Sequence, residues 1–394
     1  MDEQPKILIV DDEPFNIDYL EQELEDMGYA TVSATNGREA LDLVETESPD
    51  MILLDIMMPV MDGFEALERL KAEKDWRDIP VVVISATDDL SSVVKGIELG
   101  AEDYLPKPFE PVLLQARLKA GLDKKRLRDL EQQHLQSLER ELEIAREIQA
   151  DFLPDEVLQP KGWEIASAFL AAREVAGDFY DVFHLPGGYI GLILGDVCDK
   201  GVGSALYMAL FRSLLRAASD FPTLAGEVEE QSAALDPAAV MLNAVRLTND
   251  YICNVHQSAN YSTLFFGALD PASGLLHYID AGHERPLILN GSGIKSELKR
   301  TGPVVGLLEE AEFRVEDYQL EDGDLLLVYS DGFTDIENPD GDMFGRERFK
   351  SLLTGASRSA QSFVSNVLRQ VSAFAQDAAQ FDDMTMLAVR KRGQ

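Results

Sequence analysis

Short, continuous apolar runs alternate with amphipathic stretches in the first part of the chain. The runs at 7–10 (ILIV), 51–54 (MILL) and 81–84 (VVVI) are apolar at every position, as strands buried on both faces must be. Between them, stretches such as 16–27 and 37–45 carry apolar residues at helical spacing. Strands that alternate with helices predict a doubly wound α/β domain, with five parallel strands and helices on both faces.

Short apolar runs in the second part of the chain are separated by Gly, Pro and Asn turns. The predicted strands are 188–194, 261–269, 275–279, 286–289 and 324–329, and the predicted helices are 204–218 and 237–256. Strands in series with a few packed helices indicate an α+β domain. We therefore expect antiparallel strands packed against helices.

A helix-forming segment at 118–153 joins the two patterns and contains no Gly or Pro between Gly121 and Pro154. Six of its positions recur at spacings of three and four and form an a/d seam, namely Leu135, Leu138, Leu142, Ala145, Gln149 and Phe152. The seam predicts a coiled coil and a homodimer; the alternative is a solvated connector helix that rests on one neighbouring domain. The expected domains are residues 1–120, a linker at 121–154, and 155–394.

The charge and the composition exclude several classes of function. With 35 Lys and Arg against 71 Asp and Glu, the net charge of −36 would repel nucleic acid. No apolar run reaches the length of a membrane span, and the acidic start MDEQPK is unlike a signal peptide. Two cysteines cannot make a disulfide framework. These features predict a cytoplasmic protein that binds neither nucleic acid nor a membrane.

Polar residues follow the strands of the first domain at the edge where a parallel sheet binds ligands. Asp11 and Asp12 end the first run, Asp55 ends the third, and Ser85 and Lys107 end the fourth and fifth. Three carboxylates at one edge repel each other unless a cation lies among them, and oxygen ligands suit Mg²⁺. Helix capping would explain one such residue but not a set at successive strand ends.

The segments ILIVDDEP, MILLDIMMPVMDG, VVVISA and AEDYLPKPF resemble the receiver domain of bacterial two-component response regulators. By that resemblance, Asp55 accepts a phosphoryl group from a sensor histidine kinase or a phosphotransfer protein. The resemblance also implies a cis peptide bond before Pro108. The other implied residues are the Mg²⁺ ligands Asp11, Asp12, Asp55 and the Met57 carbonyl, and the switch residues Ser85, Tyr104 and Lys107.

Aspartates also carry the candidate chemistry of the second domain. They stand in the motifs AGDFYD (Asp178), LGDVCDKG (Asp196), YSDGFTD (Asp331) and FDDMTML (Asp382), next to apolar runs. Acids without matching bases favour hard cations, and two cations that share one carboxylate can activate water against a phosphate. Each aspartate alone could instead be a turn or a cap.

In chain order, AREVAGDFYD, GDVCDKGVGSAL, LFFGALD, YIDAGHERP, VYSDGFTD and FDDMTM resemble the metal-dependent serine/threonine phosphatases of the PP2C superfamily, in its RsbU/SpoIIE-type branch. The resemblance implies an antiparallel β-sandwich flanked by helices, and two Mn²⁺ or Mg²⁺ ions bridged by Asp196. It also implies that the Val197 carbonyl binds one ion, that Asp331 and Asp382 bind the other, and that Asp178 acts through water. Arg173 is the implied phosphate contact.

The implied function is a response regulator with a protein phosphatase output. Its expected substrate is a phosphoserine or phosphothreonine on a STAS-type anti-sigma-factor antagonist, within a partner-switching pathway. The alternative is a non-catalytic adaptor whose binding is controlled by phosphorylation. The sequence departs from the family at Ala176, where Gly is usual, and at Cys198-Asp199, where Ser-Gly is usual.

Overall fold

The computed structural model describes residues 4–86, 90–154, 156–220, 236–255, 260–353 and 359–393. The chain divides into an N-terminal unit, Met1–Leu138, and a C-terminal unit, Glu139–Gln394. The predicted division at 120 and 154 stays a prediction, and residue 155 lies outside the described residues. Within the described ranges, no helix is both long and apolar enough to span a lipid bilayer.

The N-terminal unit contains one five-stranded parallel sheet, which confirms the predicted doubly wound fold. Its strands are β1 (Lys6–Val10), β2 (Ala30–Ala34), β3 (Met51–Asp55), β4 (Val81–Ala86) and β5 (Asp103–Lys107). The helices are α1 (Pro14–Asp26), α2 (Gly37–Glu47), α3 (Gly63–Ala72), α4 (Leu90–Glu98) and α5 (Pro111–Ala150). The strand order β2-β1-β3-β4-β5 reverses direction between β1 and β3, so the ends of these two strands flank the crevice in which such sheets bind ligands.

Burial on both faces explains the continuous apolar runs within the central strands. In β3, Ile52 packs in the hydrophobic core on one face of the sheet and Leu53 packs in the core on the other. Because successive side chains of a strand point to opposite faces, each face needs its own apolar positions. A continuous apolar run is the result.

The helix α5 is longer at its start than the predicted segment and ends before Phe152. Gly121 lies inside it, where a Cβ atom would come within 2.8 Å of the Met51 side chain, so Gly permits close packing on β3. In the single chain, Leu135 and Leu138 are exposed. Among residues 122–150, Gln149 alone is buried.

The C-terminal unit contains two five-stranded antiparallel sheets, which confirms the predicted sandwich. One sheet has the order β13-β10-β9-β8-β7 and the other β12-β11-β14-β15-β6. The strands are β6 (Trp163–Leu170), β7 (Asp178–His184), β8 (Ile190–Val197), β9 (Ser262–Leu269), β10 (Leu275–Ala281), β11 (Leu287–Asn290), β12 (Gly293–Glu297), β13 (Glu316–Gln319), β14 (Leu325–Tyr329) and β15 (Met384–Lys391). The helices are α6 (Val202–Asp220), α7 (Pro237–Val255), α8 (Gly332–Asp335), α9 (Arg346–Leu352) and α10 (Ala360–Ala375).

Three hydrophobic cores hold the layers of this unit together. The central core contains Leu192 of one sheet and Leu326 of the other, so it lies between the two sheets. Apolar residues of α6 and α7 cover the outer face of the first sheet, and residues of α9 and α10 cover the second. The predicted helix at 237–256 corresponds to α7, while residue 256 lies outside the described residues.

Candidate functional site

The three predicted carboxylate ligands of the N-terminal unit lie close together at one edge of its sheet. Asp11 follows β1 and Asp55 ends β3, and these strands pair directly, with Val10 opposite Leu54. Ligand atoms of Asp11, Asp12 and Asp55 all lie within 4.8 Å of one another. This spacing allows three carboxylate oxygens to contact one hard cation.

Lys107, at the end of β5, supplies positive charge to the same edge. Its Nζ atom lies 2.9 Å from Oδ2 of Asp11 and 2.6 Å from Oδ2 of Asp55. The peptide bond between Lys107 and Pro108 is cis. Burial raises the pKa of Asp55 and the charge of Asp11 raises it further, while Lys107 opposes both effects. The lysine therefore partly neutralises a carboxylate that burial disfavours in its charged form.

The three remaining predicted residues of this unit differ in exposure. Ser85 lies buried near the end of β4, and its hydroxyl has no hydrogen-bond partner within the described residues. Tyr104 is 37% exposed on β5, with the guanidinium carbon of Arg117 5.7 Å from its ring centre. The side chain of Met57 is exposed after β3. Their roles stay predictions.

In the C-terminal unit, Asp178 and Asp196 lie opposite each other on paired strands of one sheet. Asp178 begins β7 and pairs in register with Asp196, near the end of β8. Asp178 is almost fully buried, and its Oδ2 atom has no hydrogen-bond partner among the residues that the structure describes. A buried carboxylate oxygen without a partner is unfavourable unless a cation or water binds it.

Asp331 and Asp382 come from the other sheet. Asp331 lies two residues after β14, and Asp382 lies two residues before β15, the antiparallel neighbour of that strand. Burial raises the pKa of Asp331 to about 6, with further contributions from the charges of Asp382 and Asp335. The ends of two adjacent strands thus bring two acids together.

Electrostatic coupling links the acids of the two sheets. Burial raises the pKa of Asp196 to about 7, and the charges of Asp331, Asp382 and Asp383 add to this shift. Burial, followed by the charge of Asp196, also raises the pKa of Asp178 well above its usual value. Mutual repulsion of this kind fits a donor set for hard cations.

The C-terminal acids are spaced more widely than the N-terminal ones. Across the described residues, only Asp11, Asp12 and Asp55 form a group of three acid or imidazole ligands within 4.8 Å. The predicted set Asp178, Asp196, Asp331 and Asp382 is therefore coupled by charge without converging to that distance.

Asp383 is a residue of this site that the sequence prediction missed. Its Oδ1 atom accepts a 2.7 Å hydrogen bond from the backbone N–H of Ala172, and its Oδ2 atom accepts one of 2.7 Å from Gly177. The N–H of Asp178 lies 3.5 Å from the same Oδ2. The carboxylate of Asp383 thus holds, by hydrogen bonds, the segment from Ala172 to Gly177 that precedes Asp178. The adjacent acids in FDDMTM gave a signal, but their partners are far away in sequence.

Lys200 is a second residue that the prediction missed. Its Nζ atom lies 3.0 Å from Oδ2 of Asp382, donates to the Phe381 carbonyl at 2.7 Å and stands 3.6 Å from the centre of the Phe381 ring. The lysine belongs to the motif GDVCDKG. It provides a countercharge to one of the predicted metal ligands.

The other predicted positions lie around this group. The N–H of Val197 donates to the Gly177 carbonyl at 3.3 Å. Arg173 is exposed and lines a cleft of about 540 Å³ together with Arg146 and Gln149. Asp199 is exposed and adopts a positive φ of 77°.

Comparison with known families accounts for both halves of the chain. The sequence model of the family described as stage II sporulation protein E (SpoIIE) matches residues 186–392, more than half of the 394 residues. The chain belongs to the SpoIIE family. The response regulator receiver domain matches residues 7–119. This SpoIIE-family chain therefore fuses a receiver domain to a PP2C-type domain, as the sequence motifs predicted.

Known proteins match separate parts of this SpoIIE-family chain. Protein IcfG of Synechocystis sp. (strain PCC 6803) is 44% identical over 262 residues, which are 63% of this chain and 41% of that protein. The alkaline phosphatase synthesis transcriptional regulatory protein PhoP of Bacillus subtilis is 44% identical over 117 residues, 30% of this chain and 48% of that protein. The chain thus spans less than half the length of these relatives.

A solved structure supports the fold of the C-terminal unit. The SiaA-PP2C domain of Pseudomonas aeruginosa matches with a TM-score of 0.53 and 20% identity, over 65% of this chain and 97% of that domain. At this level of identity, the likeness concerns the fold alone.

Proposed function

We propose that this protein is a response regulator whose output is a metal-dependent protein-serine/threonine phosphatase. One observation carries the proposal: in a SpoIIE-family domain, burial and the charges of neighbouring acids, Asp382 among them, raise the pKa of Asp178, Asp196 and Asp331. Acids arranged in this way are stabilised by bound cations, and bound cations can activate water for the hydrolysis of a phosphate ester.

Each acid has a distinct proposed role toward two Mn²⁺ or Mg²⁺ ions. Asp196 and the Val197 carbonyl would hold one ion, and Asp331 and Asp382, together with Asp196, would hold the other. Asp178 would orient water at the site. When bound, the ions activate water as a nucleophile and neutralise charge on the phosphoryl group.

The residues of the chain itself set the charge of the site. Burial raises the pKa of Asp196 and Asp331, and bound cations would hold both carboxyl groups in their ionised form. Lys200, which contacts Asp382, would supply positive charge toward an anionic substrate. Arg173, exposed beside the cleft, contacts the phosphate of the substrate.

The receiver domain controls this output. Asp55 accepts a phosphoryl group from a sensor histidine kinase or a phosphotransfer protein, with Mg²⁺ held by Asp11, Asp12, Asp55 and the Met57 carbonyl. Lys107, already in contact with Asp55, pairs with the added charge, and Ser85 donates its hydroxyl to the phosphoryl group. Tyr104 is the aromatic side chain that reorients when Asp55 is phosphorylated.

The proposed substrate is a phosphoserine or phosphothreonine on a STAS-type anti-sigma-factor antagonist. Its dephosphorylation would free the antagonist in a partner-switching pathway. This part of the proposal rests on membership of the SpoIIE family.

A non-catalytic adaptor is the second candidate, and the wider spacing of the C-terminal acids favours it. Hydrolysis of p-nitrophenyl phosphate by the full chain, with Mn²⁺ or with EDTA, separates the two functions. The phosphatase hydrolyses the ester only with Mn²⁺, and its rate changes when beryllofluoride occupies Asp55. An adaptor shows no hydrolysis in either condition.

A further inference from the structure

The side-chain amide of Gln149, one residue before the end of α5, pairs with the backbone of Ala176. Its Nε2 atom donates to the Ala176 carbonyl at 2.7 Å, and the Ala176 N–H donates to its Oε1 atom at 2.9 Å. Both groups of one peptide residue are thereby bound by a single side chain, as a neighbouring strand would bind them. We call this pair of hydrogen bonds the amide clasp.

Because the amide clasp is buried, replacement of the glutamine is expected to be unfavourable. Gln149 is 7% exposed and Ala176 is fully buried, although Gln is usually a surface residue. A residue that cannot form these bonds leaves a buried N–H and a buried C=O without partners. The sequence pattern placed Gln149 in an apolar seam, whereas its contacts here are polar and lie within the C-terminal unit.

The segment that the clasp holds leads directly to a predicted metal ligand. Ala176 precedes Gly177 and Asp178, and the Gly177 N–H is bound by Asp383. The Gly177 carbonyl accepts from Val197, whose own carbonyl would lie 2.9 Å from a Cβ at Gly177. Three parts of the chain therefore fix this segment: the end of α5, the end of β8, and Asp383, the residue before β15.

We propose that Gln149 is a positioning residue for the metal site, because its amide clasp sets the position of Ala176 and, through Gly177, that of Asp178. This inference rests on the proposed function. The end of α5 is consequently part of the architecture that makes Asp178 and Asp196 competent to bind cations. Groups that orient metal ligands without touching the metal commonly change metal affinity by about 10- to 100-fold when they are removed.

The test uses the full chain with Gln149→Met, which keeps the length of the side chain and removes both hydrogen bonds. Gln136→Met, at an exposed position of the same helix, is the matched control. Mn²⁺ binding is measured by titration calorimetry, and Asp196→Asn is titrated in parallel to report binding at other places, including the receiver. Thermal unfolding in EDTA and hydrogen exchange of the peptide that contains Ala176 are measured on the same samples.

Gln149→Met should weaken the Asp196-dependent Mn²⁺ binding by about 10- to 100-fold and speed exchange at Ala176, while Gln136→Met matches the wild type. If Gln149→Met lowers only the unfolding temperature and binds Mn²⁺ like the wild type, the clasp is a structural contact and the inference is wrong. If wild type and Asp196→Asn bind Mn²⁺ equally, the proposed function itself fails. Should Gln149→Met not fold, Gln149→Asn, whose amide is one methylene too short, is held to the same two outcomes.

Discussion

Asp178 and Asp196 face each other across paired antiparallel strands, and burial raises the pKa of both carboxyl groups. Two like charges directly opposite on neighbouring strands destabilise a sheet. Here the pair lies next to Asp331 and Asp382, which increase the repulsion. An arrangement that costs stability in the metal-free protein is expected where the charges serve to bind cations.

The first prediction concerns how the stability of the metal-free protein depends on pH. The pKa of Asp196 is about 7 and that of Asp331 about 6 in the folded protein, against 3.8 for the ordinary group. A raised pKa means that the folded state stays protonated up to a higher pH than the unfolded state. The stability that these two carboxyl groups contribute is therefore fully present below about pH 4 and is lost as the pH rises through about 6 to 7. In EDTA, Asp196→Asn should therefore be more stable than the wild type at about pH 8 and closer to it at about pH 5.

Urea unfolding at both pH values measures this effect as a difference between variant and wild type. A comparison of variant and wild type is needed because His283 also makes stability depend on pH. Burial lowers the pKa of its ring to about 3, so the stability that this neutral ring contributes is lost as the pH falls, and both proteins share this effect. An Asp196→Asn variant that is equally destabilised at both pH values would show that the carboxylate carries no electrostatic cost.

The second prediction concerns the anchor at Asp383. In Asp383→Asn, an NH₂ group replaces one of the oxygens that accept from Ala172 and Gly177, and a buried N–H loses its acceptor. We expect the variant to lose about 1–3 kcal/mol of unfolding free energy in EDTA, together with most of its Mn²⁺-dependent activity. Asp377→Asn, an exposed position beyond α10, should change neither quantity. Full activity of Asp383→Asn would contradict the anchoring role.

The third prediction identifies the phosphorylated residue. Acetyl phosphate with Mg²⁺ should add one phosphoryl group to the wild type and to Asp18→Ala, which alters an exposed aspartate of α1. Asp55→Ala should gain none, because it lacks the carboxylate, beside Lys107, that is proposed to accept the phosphoryl group. Intact-protein mass spectrometry distinguishes the variants, and equal labelling of Asp55→Ala and the wild type refutes the assignment.

The fourth prediction concerns the leucine positions of the seam in α5. Burial of one Leu contributes roughly 1.5–3 kcal/mol, so pairing of seams through Leu135, Leu138 and Leu142 would shift a monomer–dimer equilibrium strongly. Replacement of Leu138 and Leu142 by Asp should abolish dimers and the effect of beryllofluoride on hydrolysis, while Asp55 phosphorylation persists. Gln136 and Arg140 replaced by Asp, off the seam, should leave both intact. A protein that light scattering finds monomeric in every state, yet that still responds to beryllofluoride, would exclude this mechanism.

The sequence predicted the strands whose surroundings leave a clear pattern. β1, β3 and β4 are covered on both faces, and each contains a continuous apolar run of four residues. Three strands without a continuous apolar run, β2, β12 and β13, lie at the edges of their sheets and have exposed positions. At an edge, side chains and backbone meet solvent, so the composition carries little signal.

The ligand motifs were predictable, while the groups that support them were not. Asp196 and Asp331 stand in short motifs beside strands, where residue type and neighbours indicate chemistry. Asp383 acts on backbone groups 211 and 206 residues away, and Gln149 on a residue 27 positions later. Backbone groups have no side-chain signature, so only the fold reveals these contacts.

The most direct measurement of the central claim compares Asp196→Asn with Asp199→Asn in Mn²⁺-dependent hydrolysis of p-nitrophenyl phosphate. Both variants remove one carboxylate from the motif GDVCDKG, but Asp196 is coupled to the other acids and Asp199 is exposed, at a positive φ that Asn tolerates. We expect Asp196→Asn to lose Mn²⁺-dependent turnover while remaining folded, and Asp199→Asn to stay within about 3-fold of the wild type, since solvent screens an exposed charge. Turnover by Asp196→Asn within the same range would contradict the account.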